Sequence, residues 1–363
     1  MFTEKINTTL KMLRLISKTF RHSIWEVGFS GGKDSLALLH LITMFVEHSI
    51  KENKPLPKTI FVVYGDTLLD IPSLREPALE VLHSIEKYSQ EELRGILRPK
   101  ILTPLENQDY FSMMIEKSYP PPHHRFRWCV SRLKINPVMN FLSQFNGNLV
   151  MITGEREDES ASRSRIMNNR ICGKPGVLQR DRNGNIIVAP IKEWTKDDVF
   201  AFLASSKQPW NDQCYSYILD AYGTDELKAK CACGLSPNVR YGCWVCTVIK
   251  RDKALEFLSQ KGDQEARTLL LAKEAIRRIG LLPQFRVKKH DGKYGKLNQQ
   301  GVLAVIGVVA FVLANAEKGL SGYINNPLLR TKLKKWLEFY YSELHVTDSS
   351  LEHLLSIIPE RNG

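Results

Sequence analysis

Between an apolar strand-like run, Ile24 to Phe29, and a helix-like run, Leu36 to Val46, lies Ser30-Gly31-Gly32-Lys33-Asp34-Ser35. Two glycines let the backbone take a positive φ and approach a ligand with no Cβ in the way. The unpaired N–H groups opening the next helix then face a bound anion, and the helix dipole favours negative charge there. Lys33 adds a point charge, and Ser30 and Ser35 add hydroxyl donors. The turn therefore predicts a phosphate cradle. Asp34 stands apart, because a carboxylate beside phosphate is repulsive unless a divalent cation or a basic side chain intervenes. It is read as a Mg²⁺-side or orienting residue.

Three further clusters carry chemistry. Arg125-Phe126-Arg127-Trp128-Cys129-Val130-Ser131-Arg132-Leu133-Lys134 sets four basic residues around one cysteine. Guanidinium groups at that density suit phosphate or sulfate, and they should lower the pKa of Cys129 towards a thiolate. The plainer alternative is a partly buried cysteine at a helix start with surface arginines. In Gly154-Glu155-Arg156-Glu157-Asp158-Glu159-Ser160, followed by Arg163 and Arg165, the arginines suit a triphosphate or an acceptor, Arg156 foremost. The carboxylates there either hold Mg²⁺ or pair with the arginines. Cys233, Cys243 and Cys246 form C-x9-C-x2-C, a geometry shared by iron–sulfur and zinc sites. Cys129 is the candidate fourth ligand if its loop folds over the same edge, and Cys231 competes with Cys233 for one position. Cys172 and Cys214 read as ordinary thiols.

Elements must position these groups, and 363 residues suffice for one large or two smaller domains. Apolar content of 43% and charged content of 25% are ordinary for a globular protein. Seven cysteines without a secretion signal argue for a reducing, cytoplasmic setting rather than a disulfide framework. Met1 to Arg21 reads as an amphipathic helix, not a signal peptide. Gly301 to Ala316 is shorter than a bilayer span needs, so it reads as a buried helix and no membrane is expected. The net charge of +12 is uneven: Ile249 to Lys296 holds 13 Lys/Arg against 6 Asp/Glu. Such a surface attracts nucleic acid or an acidic partner, or is simply solvated.

Strands and helices alternate through the first two-thirds, which predicts an α/β fold with a Rossmann-like parallel sheet. Thr59 to Tyr64 and Leu149 to Thr153 read as strands, with a shorter one near Ile101. A helix starts near Pro72. Val177 to Ala189 reads as a hairpin turning at Asn183-Gly184. Thr195 and Asp198 have capping-box spacing for a further helix. Ligands in such sheets bind beyond the carboxyl ends of strands, where the charged loops should converge. Three regions are expected: 1–204 as nucleotide domain, 205–250 as a cysteine-rich segment, and 251–363 as a basic, mostly helical C-terminal region.

The cradle is too tightly spaced for a Walker loop, which needs four residues between its first glycine and the Gly-Lys-Ser/Thr ending. It resembles instead the PP-loop, S-G-G-x-D-S, of the ATP pyrophosphatases. Together with Gly65-Asp66-Thr67, Arg127-Trp128-Cys129, Arg132-Leu133-Lys134, the Gly154 to Arg165 loop and Pro190 to Trp194, it resembles the phosphoadenylyl-sulfate reductase superfamily over about residues 20 to 250. The closer resemblance, through the intact loop, Arg127-Trp128-Cys129 and Gly242-Cys243-Trp244-Val245-Cys246, is to the DndC type of DNA phosphorothioation sulfurtransferase and its SspD-type relative. That resemblance implies ATP and Mg²⁺ as cofactors, bound by Ser30 to Ser35, Asp66 and Gly154. Lys33, Asp34, Ser35 and Arg156 would carry catalysis. Arg127, Arg132, Lys134, Arg163 and Arg165 would bind the acceptor or its phosphate. Cys129, Cys233, Cys243 and Cys246 would ligate a [4Fe–4S] cluster, with zinc as the alternative. The implied partners are DNA, a cysteine desulfurase as sulfur donor and other phosphorothioation proteins. A tRNA-thiolating enzyme, a sulfonucleotide reductase and a non-catalytic nucleotide-sensing module remain open readings.

Overall fold

The computed structural model describes residues 2–145, 149–159, 179–180, 186–216, 218 and 242–344. The chain opens with helix α1 (Phe2–Thr19), strand β1 (Ile24–Phe29), helix α2 (Lys33–Lys51), strand β2 (Thr59–Gly65), helix α3 (Pro72–Glu92) and strand β3 (Leu97–Leu102). Strands β4 (Leu149–Ile152), β5 (Gln179–Arg180) and β6 (Ile186–Val188) complete a sheet of order β3-β2-β1-β4-β6-β5. Every neighbouring pair is parallel except β5 against β6. This is the expected Rossmann-like α/β architecture. The β5–β6 pairing also fits the expected hairpin, whose Asn183-Gly184 turn lies outside the described residues.

Packing divides the chain into two units. The first takes Met1–Gly65, Arg75–Leu102 and Val138–Asn238. Its core follows from the alternation along β1, where Trp25, Val27 and Phe29 point to one buried face and Trp25 stacks on Phe45 of α2 at 5.4 Å between ring centroids. The opposite face carries Glu26, which is only 4% exposed. Burial pushes its carboxyl up to about 8. His40 on α2 shows the complementary effect: buried and 2.9 Å from the Tyr215 hydroxyl, its imidazole is pushed down to about 4. Thr195 and Asp198 make the anticipated capping box for the helix Lys196–Ser205, and Lys5 of α1 pairs with the same Asp198.

The second unit takes Asp66–Leu74, Thr103–Pro137 and Val239–Gly363. Helices Gln264–Leu281, Gln299–Asn315 and Pro327–Leu344 supply much of its core, with Phe111, Trp244 and Tyr323 fully enclosed. The uncharged run Gly301 to Ala316 is thus a buried helix, as its length predicted. Among the described residues no helix is long and apolar enough to cross a membrane. Two close approaches seat the turn that follows β2. A Cβ on Gly322 would come within 2.9 Å of the Leu68 Cα, and the buried Trp244 indole donates to the Gly319 carbonyl at 2.9 Å. The basic C-terminal region is mostly helical, but Arg286–Lys288 and Tyr294–Leu297 form an antiparallel hairpin within it. Gly292, with φ of 78°, makes the turn, and the Asp291-Gly292 pair was the sequence signal for it.

Candidate functional site

The first unit carries the cradle at the join of β1 and α2. Gly31 has φ of 71°, a conformation that glycine adopts without strain. Gly32 is the N-cap of α2, and among the described residues no side-chain cap closes that end. A helix N-terminus left uncapped by its own side chains is an anion site. The serines do more shaping than the sequence suggested. Ser35 donates to the Gly32 carbonyl at 2.9 Å, accepts from the Ser30 amide at 3.2 Å, and lies 3.2 Å from the Ser30 hydroxyl. These bonds fold the loop into its curve.

Asp34 sits between two cations. Lys33 Nζ donates to Oδ2 and Arg156 Nε to Oδ1, both at 2.6 Å. Arg156 is itself buried, with Nη1 donating to the Trp194 carbonyl at 3.2 Å and to Asp158 at 3.3 Å. Glu157 pairs with Lys192 at 3.0 Å, and Asp158 accepts from the Lys196 amide at 2.9 Å. Glu157 and Asp158 therefore take the pairing option the sequence left open. Gly154 lies over the helix start, where a Cβ would stand 3.4 Å from the Asp34 carbonyl. The loop after β4 thus converges on the cradle, where Lys33 and Arg156 hold Asp34 between them.

The second unit holds Cys129, Cys243 and Cys246. Cys243 Sγ lies 3.2 Å from Thr67 Oγ1 and 3.4 Å from Asp70 Oδ1. The Trp244 amide donates to the Leu69 carbonyl at 2.9 Å, which fixes Cys243 against the turn after β2. Asp66 shapes that turn by accepting from the Leu68 amide at 2.8 Å. Cys129 caps a π-helical turn, Val130–Ile135, that carries Arg132 and Lys134. Burial and Cys246 push the Cys129 thiol up, against the opposing pull of Arg127. The expected lowering by arginines is thus outweighed by loss of solvent. Burial and Asp70 likewise raise Cys243. Burial acts to lower Lys134, but Cys243, Asp70, Cys129 and Cys246 overcome it and raise the ammonium. Burial raises the Tyr110 hydroxyl well above its usual range, with Cys129, Cys246 and Cys243 adding to it.

The described residues thus form two groups. Ser30 to Ser35, Gly154 and Arg156 meet in the first unit; Asp66, Cys129, Lys134, Cys243 and Cys246 belong to the second. Arg132 donates to Gln108 at 3.1 Å, and Arg127 is exposed. Arg163, Arg165, Cys172, Cys231 and Cys233 lie outside the described residues. Asp70 and Tyr110 were not singled out from the sequence, whereas Thr67 belongs to the quoted Gly65-Asp66-Thr67 turn. Among the described residues, no three His, Cys, Asp or Glu side chains form a group ready to hold a metal ion. The donor chemistry still suits iron–sulfur or zinc: three thiols share one lysine neighbour, and an ammonium favours thiolate.

Comparison with known proteins places this geometry. An uncharacterized protein of Methanocaldococcus jannaschii is 29% identical over 189 residues, which cover 51% of this chain and 32% of that one. The chain thus spans about a third of the length of that curated relative. Three solved structures are similar. Phosphoadenylyl-sulfate reductase from Candida auris, a phosphate complex, has a TM-score of 0.37 and 16% identity, covering 56% of this chain and 82% of that one. FMN adenylyltransferase from Candida glabrata, with FMN and an ATP analogue, has a TM-score of 0.36 and 20% identity, covering 61% of each chain. The U34-tRNA thiolase NcsA from Methanococcus maripaludis, with its [4Fe–4S] cluster, has a TM-score of 0.29 and 16% identity, covering 62% of this chain and 75% of that one. Residues 25–248, a stretch that begins in β1 and ends just past Cys246, match the phosphoadenosine phosphosulfate reductase domain, and the chain belongs to that family.

Proposed function

We propose that this protein is an ATP-dependent sulfurtransferase of DNA phosphorothioation. A non-bridging oxygen of a backbone phosphate attacks the α-phosphorus of ATP. A new P–O bond forms, the α–β bridging bond breaks, and pyrophosphate leaves. The terminal sulfur of a persulfide, made by a cysteine desulfurase, then attacks the activated backbone phosphorus. The P–S bond forms as AMP departs, and a second thiol opens the S–S bond and leaves as a disulfide. The observation that carries this reading is the uncapped start of α2 behind Gly31, a site shaped for the tail of a nucleoside triphosphate.

The chain's own residues supply positioning and charge. Lys33 leaves Asp34 for the triphosphate, and Arg156 keeps Asp34 oriented while it does so. Released from Lys33, Asp34 Oδ2 is free to take Mg²⁺. Cys129, Cys243 and Cys246, with Cys233, would hold a [4Fe–4S] cluster, which when bound would supply a charged centre that tunes the acceptor site. Lys134 balances the negative charge of the thiolates.

The test is pyrophosphate release from Mg-ATP with duplex DNA, together with labelled sulfur from a desulfurase. Pyrophosphate and labelled DNA are expected, and Lys33→Ala lowers both by about 10²- to 10³-fold. Labelled tRNA in place of labelled DNA would make the protein a tRNA thiolase. Sulfite from phosphoadenosine phosphosulfate, without pyrophosphate from ATP, would make it a reductase.

A further inference from the structure

The hairpin Arg286–Lys288/Tyr294–Leu297 holds five Lys/Arg against one Asp over residues 286–297. Every residue from Val287 to Tyr294 is exposed. A charged hairpin made only for solubility would mix signs and hide its apolar residues. Here Val287 and Tyr294 are 48% and 42% exposed among the cations. We propose that this hairpin is a ribbon that docks on the backbone of duplex DNA, an inference that rests on DNA being the acceptor.

The ribbon is built to hold its shape. Arg286 is consumed internally: its Nε donates to the Gly295 carbonyl at 2.8 Å, and its terminal nitrogens reach the carbonyls of Gly280, Tyr294 and Gly295. The tip is closed by Lys289 N to Lys293 O at 2.8 Å and Gly292 N to Lys289 O at 3.0 Å. The lone acid, Asp291, pairs with Lys293 at 3.3 Å. Lys288, Lys289 and Lys296 have no acidic partner among the described residues. Lys288 stands opposite Tyr294 across the ladder, and the stem of Lys289 lies along Gly295, where a Cβ would come within 2.9 Å of its Cε.

The positive surface continues past the base of the ribbon. The Leu297 amide donates to the Ser118 carbonyl at 2.8 Å, which joins the hairpin to the loop leading to Arg127 and Cys129. In that loop the His123 imidazole is lowered by burial and then by Arg286 and Arg125. A two-stranded ribbon fits the B-form major groove, about 12 Å wide, and not the narrow major groove of A-form RNA. Lysines on phosphates release counterions, so binding through this surface weakens steeply with salt.

The test uses the full-length protein and a labelled DNA duplex, followed by anisotropy across a salt series without ATP, so a failure of the ATP chemistry does not affect it. Replacing Lys288, Lys289 and Lys296 together by Gln should weaken binding at least about tenfold at moderate salt. It should also flatten the plot of log K against log salt by about 0.9 for each lost phosphate contact. ATP binding and melting temperature stay as in the wild type. A charge-matched variant, Lys250→Gln with Lys253→Gln and Lys261→Gln, should keep the wild-type slope. Wild-type affinity and slope in the hairpin variant, or an equal loss in the control, overturns the proposal. So does equal affinity for duplex RNA. Absence of binding to any duplex at low salt overturns it too.

Discussion

In the cradle, opposite charges already meet: Asp34 accepts from both Lys33 and Arg156, and the serine hydroxyls bond within the loop. Around Cys243 the balance differs, because Asp70 and three thiols all lie close enough to raise the Lys134 ammonium. The first arrangement keeps its shape without a ligand. The second becomes crowded with negative charge as soon as its thiols ionise, so a cationic occupant would stabilise it. Nucleotide binding should thus be an exchange of partners, whereas metal binding should be coupled to proton release and to stability.

The largest expected effect comes from breaking the cradle's internal pairing. Asp34→Ala leaves Arg156, whose side chain is 3% exposed, with only the half-exposed Asp158 at 3.3 Å as a carboxylate partner. A loss of about 3 kcal/mol in urea unfolding is expected, and adding Arg156→Met should recover part of it. An unchanged unfolding midpoint would show that the pairing is not what holds the loop. Lys33→Ala should lower pyrophosphate release by about 10²- to 10³-fold without disturbing the fold. Its iron content should match the wild type, whereas Cys243→Ala should strip iron and leave ATP binding intact. If one variant affected both readouts, the two regions would not be independent.

pH separates the regions further, because Glu26 and His40 both lie in the sheet unit. The raised carboxyl of Glu26 contributes stability that is complete below about 4.5 and is lost as pH rises through about 8. The lowered imidazole of His40 contributes stability that is present above about 6.5 and is lost as pH falls towards about 4. Their slopes cancel between about pH 4.5 and 6.5. Above that plateau Glu26 alone acts, so stability should fall by roughly 2 kcal/mol up to pH 8, and Glu26→Gln should remove the fall. Melting temperatures across pH check this, and a persistent fall in the variant would exclude Glu26 as its source. The smallest effect belongs to Gly154→Ala, whose added methyl meets Asp34 at an ordinary contact distance of 3.4 Å. It should cost less than about 1 kcal/mol and mainly raise the KM for ATP.

What the sequence made legible was local. The β1 run, the glycine turn and the Thr195–Asp198 cap each announce themselves within a few residues, and each forms as read. The grip of Arg156 on Asp34 spans 122 positions, and only folding reveals it. The arginines around Cys129 were visible, but the burial that outweighs them was not. Nor does chain order show that residues 66–74 pack with 239–363, since that grouping depends on apolar contacts distant in sequence.

The seat formed by Gly319 and Gly322 bears on how this protein can be dissected. The family match stops at residue 248, yet the partner of the Trp244 indole and the surface covering Leu68 come from residues beyond it. A fragment trimmed to the family boundary would leave a buried donor unsatisfied and wet the underside of the turn that holds Cys243. The turn that holds Cys243 therefore cannot be transplanted with the matched domain alone; the helical remainder has to travel with it.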